Sequence, residues 1–247
     1  MKLQFLGSGG SAVSAKRACP SILIDDRRIF DIGPGSLGNL RRSGVDPNLL
    51  SEVYISHCHA DHVSDLIPFL WAIQIDGRKA PLKVLGPPGF KQIFRRLCEC
   101  TSTQANFFTF PLSVEEIQFG EKHEDVETCR TDHSIPTLAF RGARDGRSLC
   151  YSADTIYCPA VVEFARNVDL LVHEATFLED QASIAELTRH STAGMAGRAG
   201  REANAKHLAL FHIPPPNDHR EAEFDAQARD AYGKEVTIAT DMAQIEI

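Results

Sequence analysis

Residues Val53–Leu66 read VYISHCHADHVSDL, with three histidines and two aspartates directly after an apolar run. The run EVYIS, β-branched and aromatic, reads as a short buried strand. In extended chain, residues i and i+2 project to the same side. His57 and His59 can therefore grip one metal ion at a strand end. Asp61 and His62 follow on a loop that must turn into a helix, point elsewhere, and can serve a second ion. Neutral imidazole and carboxylate suit zinc, with manganese or iron as alternatives. A lone strand histidine would read as structural; four such groups within six residues read as a metal site.

One loop cannot fill two coordination shells, so the remaining ligands are expected at other strand ends, where a rigid scaffold presents functional groups. His133 closes VETCRTDH, Asp154 closes SLCYSAD and His212 closes LALFH. Glu174, in LLVHEATF, also ends an apolar strand.

Working outward, KLQFLG reads as a first strand, and PSILIDDRRIFDIGPG as two strands joined by the turn Asp25-Asp26-Arg27. DLIPFLWAIQI suits a helix with Leu66, Leu70 and Ile73 on one side and Pro68 in its first turn. PLKVLGPPG is a strand ended by proline and glycine. FKQIFRRLCEC is helical, with Phe90, Ile93, Phe94 and Leu97 at helical spacing and Cys98 and Cys100 expected in the helix core. TLAFRGA and RSLCYSAD flank Asp145-Gly146, a hairpin signal. AVVEFARN is a short helix, DLLVHEA a strand, and STAGMAGRAGREA a small-residue helix opened by Ser191-Thr192 that can pack closely. KHLALFHI is a strand stopped by Pro214-Pro215-Pro216, and a polar helix from about Asp218 to Ala231 leads into EVTIA. This alternation in two similar halves points to two sheets face to face with helices outside, expected as one domain over residues 1–247.

The composition narrows the setting. No stretch of about 18 apolar residues is present, so no membrane span is expected. MKLQFLGSGG lacks the apolar run of a signal peptide. Seven cysteines, an odd number without framework spacing, favour a reducing compartment, so the cytoplasm is the expected location. A net charge of −7 argues against broad electrostatic capture of nucleic acid.

HCHADH stands as the His-x-His-x-Asp-His signature, and the chain resembles the metallo-β-lactamase superfamily over essentially its whole length. The resemblance implies a four-layer αββα sandwich with a dinuclear metal site at one edge of the sheets. By position it implies that His57, His59 and His133 hold one metal, that Asp61, His62 and His212 hold the other, and that Asp154 bridges both. Within the superfamily the chain looks most like the ribonuclease Z branch. LGSGGSAVSAKRACPSILI resembles that branch's glycine-rich first turn and arginine-containing loop, while HEATF and HSTAGMAG resemble two further motifs. In that branch a Glu and a His pair beside the metals, which matches Glu174 and His190. His123, His173, His207 and His219 match no ligand position.

The expected activity is phosphodiester hydrolysis through a dinuclear metal-bound hydroxide, since two divalent ions bring the pKa of a shared water toward about 7. His190, oriented by Glu174, is the candidate general acid, and Asp61 the residue that both binds metal and orients the attacking oxygen. Asp31 is expected to support the ligands from behind. The loops Gly7-Ser8-Gly9-Gly10 and Gly33-Pro34-Gly35-Ser36 either offer N–H groups to an anion or make tight turns under the site. The substrate is a small phosphodiester or RNA, with a homodimer as the assembly to consider. The alternatives are 3′ processing of precursor tRNA and, in another chemistry, an iron-dependent oxidoreductase of the same fold, against which the Glu174–His190 pair argues. Enzymes that process tRNA commonly carry an arm between the third ligand histidine and the bridging aspartate. Here SIPTLAF and RSLCYSA already fill that interval. Arg141, Arg144 and Arg147 around the turn between them are weighed as phosphate contacts or as a solvated hairpin tip.

Overall fold

The structure is a computed structural model that describes residues 1–104 and 106–247. The first half of the chain builds a sheet from β1 (Lys2–Gly7), β2 (Ser21–Ile24), β3 (Arg28–Phe30), β4 (Glu52–Tyr54), β5 (Leu82–Gly86) and β6 (Leu112–Glu116) in that order. The second half builds another from β7 (Lys122–His123), β8 (Val126–Arg130), β9 (Leu138–Arg144), β10 (Arg147–Tyr151), β11 (Leu170–Glu174), β12 (His207–Phe211) and β13 (Val236–Ile238), neighbours in space as in sequence. The chain then returns to the first sheet, where β14 (Gln244–Glu246) pairs antiparallel with β1. In both sheets hairpins give way to parallel strands at the point where helices enter as crossovers.

Strand alternation decides the layers, because successive side chains face opposite sides. Phe5, Ile22, Phe30 and Tyr54 of one sheet meet Phe140, Leu149, Tyr151 and Phe211 of the other in a central core. Phe30 and Phe140 stand with ring centroids 4.9 Å apart, and Phe5 and Phe211 5.7 Å. The opposite faces are covered by helices. Leu23, Ile29, Val53 and Val84 pack under α1 (Ser36–Arg42), α3 (Leu66–Ile75) and α4 (Phe90–Cys100), with the single turn α2 (Ala60–Val63) between the first two. Cys150, Leu171, Leu208 and Leu210 pack with α5 (Pro159–Phe164), α7 (Ala193–Glu202) and α8 (Glu221–Tyr232). A further helix, α6 (Ala182–Thr188), lies just before His190. This is the four-layer αββα sandwich.

Several details differ from the sequence reading. Cys98 is half-buried but Cys100 is exposed; two positions on, a helix has turned through about 200°, so both cannot face the core. The polar helix begins at Glu221, after a 3₁₀ turn at Pro215–Asn217, because the prolines delay it. Thr192 alone caps α7, accepting from the Met195 N–H at 3.1 Å, while the Ser191 hydroxyl donates to the Thr155 carbonyl. The small residues of α7 do allow close packing: a Cβ on Gly197 would sit 2.4 Å from the Ala228 carbonyl oxygen of α8. Among the described residues, no helix is long and apolar enough to cross a membrane.

Candidate metal centre

The site collects beyond the C-terminal ends of strands of both sheets, on one edge of the sandwich. Beyond β4 the chain bends at Ser56 and reaches His57, and His59 is the N-cap residue of α2. His57 Nε2 and His59 Nδ1 lie 3.1 Å apart, as the i, i+2 spacing requires. The turn of α2 then throws Asp61 and His62 to the other side, with Asp61 Oδ2 and His62 Nε2 3.6 Å apart. His133 follows β8, Asp154 follows β10, Glu174 ends β11 and His212 follows β12. Asp31, Ala153 and His212 have positive φ (59°, 51° and 68°), so the backbone is strained where each of these strands delivers its side chain.

Two groups form. His57, His59, His133 and Asp154 place ligand atoms within 4.8 Å of one another, as do Asp61, His62 and His212. Asp154 joins the groups: its Oδ2 lies 3.5 Å from His57 Nε2 and 3.3 Å from His62 Nε2, and its Oδ1 3.4 Å from His212 Nε2. His133 Nε2 is 3.2 Å from His59 Nδ1, and His212 Nε2 is 3.3 Å from both His62 Nε2 and Asp61 Oδ2. Ligands about 2.0–2.1 Å from a tetrahedral centre stand about 3.3 Å apart, so this spacing fits donors arranged around cations.

The hydrogen bonds behind the rings fix which nitrogen faces inward. His62 Nδ1–H donates to Asp31 Oδ2 at 2.8 Å, and His133 Nδ1–H donates to the Arg189 carbonyl at 3.0 Å. Ser56 gives its hydroxyl proton to Asp31 at 2.7 Å, so its oxygen accepts from His57 Nδ1–H at 3.0 Å. His212 Nδ1–H meets the Thr176 hydroxyl at 2.8 Å. Each of these four rings thus turns an Nε2 lone pair into the site, the usual function of an outer hydrogen bond behind a ligating histidine. Lone pairs do not hydrogen-bond to one another; they need a cation. Asp154 Oδ1 is buried with no donor, a second unmet demand for positive charge. The residues present fit divalent metal ions.

Electrostatics agree. Burial, then neighbouring imidazoles, push His57 well below the usual range, and burial and His133 push His59 down, so both rings are neutral. Burial opposes charge on Asp154 and Asp61 as well, yet His212 and His62 hold both carboxyls below the usual carboxylate range. Among protein groups alone the positive charge falls on His62, raised against burial by Asp154 and Asp31; a metal cation would supply that charge instead.

Glu174 and His190 lie beside this cluster as a pair. His190 Nδ1–H donates to Glu174 Oε1 at 2.8 Å and stands 4.0 Å from Asp154 Oδ2. Glu174 is completely buried and also accepts from the N–H groups of Thr155 and Thr176. The glycine loops act by close packing. A Cβ on Gly33 would lie 1.8 Å from the Asp61 carbonyl oxygen, and one on Gly10 2.1 Å from His212 Nδ1. The anions that the first loop and the residue after it meet are the protein's own: Ser8 N–H donates to Asp241 Oδ1 at 2.9 Å and Ser11 N–H to Asp61 Oδ2 at 2.7 Å. Asp31 stands behind the rings, accepting from Ser56, His62 and Tyr151.

Sequence reasoning did not single out Ser56, Tyr151, Thr176 or Arg189. Thr176 had a signal, since it is i+2 from Glu174 on the same side of extended chain. Tyr151 had none, because it reads as a core aromatic. Of the other histidines, His173 is buried and donates Nδ1–H to the Glu174 carbonyl. His123 groups with Glu52 and Glu124 at the far end of the first sheet, where Arg28 already pairs with both acids.

The chain is similar to known proteins along its whole length. Ribonuclease Z of Myxococcus xanthus is 29% identical, in an alignment covering 100% of this chain and 98% of that protein. The alignment runs over 304 positions against 247 residues here, so the relative carries insertions that this chain lacks. The metallo-β-lactamase fold protein YhfI from Bacillus subtilis superposes with a TM-score of 0.84 at 25% identity, covering 99% of this chain and 98% of that one. The short form of human tRNase Z superposes with a TM-score of 0.82 at 25% identity, covering 100% and 99%. The family model described as β-lactamase superfamily domain matches residues 27–213, and the chain belongs to that superfamily.

Proposed function

We propose that this protein is a metal-dependent phosphodiesterase of the ribonuclease Z kind. His57, His59 and His133 hold one cation, Asp61, His62 and His212 hold a second, and Asp154 lies between them. The observation that carries the reading is the juxtaposition of this donor set with a pair 2.8 Å long between buried Glu174 and partly buried His190. Relatives named ribonuclease Z, matching along the whole chain, support the same chemistry. The donor set suits zinc, with manganese or iron as alternatives.

When bound, two such cations supply an acidified water and a Lewis acid for a phosphate oxygen. The protein's own groups do the rest. Glu174, held by two backbone N–H groups, fixes the His190 ring through Nδ1 and leaves Nε2 free. Burial works against charge on this ring, but the Glu174 carboxylate pushes it up to about 9, so a proton is available at neutral pH. His190 gives that proton to the leaving oxygen. Asp61, partly buried and held by Ser11 N–H, serves as cation ligand and as acceptor for the attacking water.

The substrate reading is a small or unstructured phosphodiester rather than a folded tRNA. β9 and β10 run from Leu138 to Tyr151 with only Asp145-Gly146 between them, which leaves no arm between His133 and Asp154. The arginines of this hairpin are committed elsewhere, Arg141 to the Phe164 carbonyl, Arg144 to Asp25 and Arg147 to Asp169.

One zinc-loaded preparation, assayed on bis-p-nitrophenyl phosphate, nitrocefin, a precursor tRNA and a short unstructured RNA of the same cleavage sequence, tests this reading. We expect both the phosphodiester and the short RNA to be cleaved and nitrocefin to be untouched. Turnover of nitrocefin alone would overturn the proposal. A kcat/KM advantage of about 100-fold for folded tRNA, about 2.7 kcal/mol of transition-state binding, would make tRNA 3′ processing the activity.

A further inference from the structure

Thr176 lies two residues beyond the end of β11, and its side-chain oxygen is a junction. It lies 2.8 Å from Glu174 Oε2, 2.8 Å from His212 Nδ1 and 3.2 Å from His190 Nδ1. A hydroxyl has one proton to give and two lone pairs to accept with. An ionised carboxylate can only accept, so the proton goes to Glu174. The hydroxyl oxygen is then an acceptor only, and the donor facing it at 2.8 Å must be His212 Nδ1–H. His190 Nδ1–H is already committed to Glu174 Oε1 at 2.8 Å, so its 3.2 Å approach to Thr176 is the weaker branch of a shared bond. Thr176 is 2% exposed and His212 1%, so water does not replace these bonds. Being β-branched, threonine also has few side-chain rotamers in which to lose this alignment.

We propose that Thr176 is a positioning residue that sets the tautomer of His212 and ties it to the Glu174–His190 pair. The order of hydrogen bonds runs from Glu174 through the Thr176 hydroxyl to His212. One buried carboxylate thereby orients both the proton donor and one ligand of the metal centre. The consequence for metal binding rests on the proposed reading of the site; the consequence for the tautomer does not.

The test compares Thr176→Val, which keeps the branched shape and removes the hydroxyl, with Thr176→Ser, which keeps the hydroxyl. The first readout needs no metal: imidazole ¹H–¹⁵N spectra of the chelator-treated full chain. The His212 Nδ1–H resonance is expected in the wild type and in Thr176→Ser, and is lost or shifted in Thr176→Val. The second readout is a zinc titration against a chromophoric chelator. Thr176→Val is expected to bind one of two equivalents more weakly by roughly 10–100-fold, the usual effect of losing a partner behind a ligand, and Thr176→Ser to stay close to the wild type. Thermal melts check the fold, and Thr176→Ala replaces Thr176→Val if the valine variant does not fold. An unchanged His212 resonance together with unchanged zinc binding in the hydroxyl-free variant overturns the inference. So does a serine variant as damaged as the valine one, since packing rather than the hydroxyl would then matter. A wild type that takes up no zinc would overturn the metal-centre reading alone, because the tautomer comparison would still judge Thr176.

Discussion

His190 is the residue on which proton transfer and metal binding separate. It sits in a cluster with Asp154 and His212, yet its Nδ1 is occupied by Glu174. We expect His190→Ala to keep its metal content while losing roughly 10²–10⁴-fold in kcat for a poor leaving group, the usual size of general acid catalysis. Bis-p-nitrophenyl phosphate, whose p-nitrophenolate leaves without a proton, should be affected far less; equal losses on both substrates would remove His190 from the acid role. The pH dependence has a definite sign. A histidine raised against burial to about 9 by Glu174 carries its proton below that value and loses it above. Cations in the adjacent cluster pull the value down, so the alkaline limb for poor leaving groups is expected at or below pH 9 and absent from His190→Ala. The same shift is linked to folding: its stabilisation is complete below the ordinary histidine value and is lost as pH rises through the raised one. The residues that carry chemistry were legible because histidine and aspartate at strand ends have few other reasons to be there. Of their supports Asp31 was legible and most others were not. Ser56, Thr176 and Tyr151 are ordinary residues whose importance lies in what they face across the sheet.

At the level of elements, the site depends on close approach of backbone to side chain. Gly10, after β1, lies against the His212 ring, and Gly33, after β3, against the Asp61 carbonyl. Gly38, on the exposed side of α1, has nothing within 4 Å of where a Cβ would stand. Gly10→Ala is expected to displace His212 and lower metal affinity while circular dichroism stays native. Gly38→Ala is expected to leave the site alone and raise stability by about 0.5–1 kcal/mol, the cost of glycine in a helix relative to alanine. Wild-type metal affinity in Gly10→Ala would remove the packing role. The glycine-rich stretches were read from sequence as either anion cradles or tight turns; packing decides for turns, which one-dimensional pattern cannot do. Long periodic elements such as α3 and α4 were readable. The short edge strands β6, β7 and β14 were not, because half-exposed strands of two to five residues are too short for alternation to stand out, even where Leu112 and Val114 alternate with Ser113 and Glu115. Helix α1 was missed because Gly38 interrupts it.

The whole molecule follows from two halves of like design, each running from hairpins into parallel strands, with the sheets closed on a shared aromatic core. Loops from both halves meet at one edge, which is why ligands as far apart in sequence as His62 and His212 become neighbours. That layered arrangement was legible from the order of elements, whereas the return of β14 to β1 was not, since nothing in three residues says which sheet they join. On the proposed reading this edge is a dinuclear metal centre that hydrolyses phosphodiesters. Titration of zinc into chelator-stripped protein, with bis-p-nitrophenyl phosphate hydrolysis and bound metal followed together, tests it most directly. Activity is expected to be absent at the start, to rise to a plateau at about two ions per chain, and to be abolished again by chelator. Full activity in stripped protein, or a folded chain that takes up no zinc and no manganese, would contradict it.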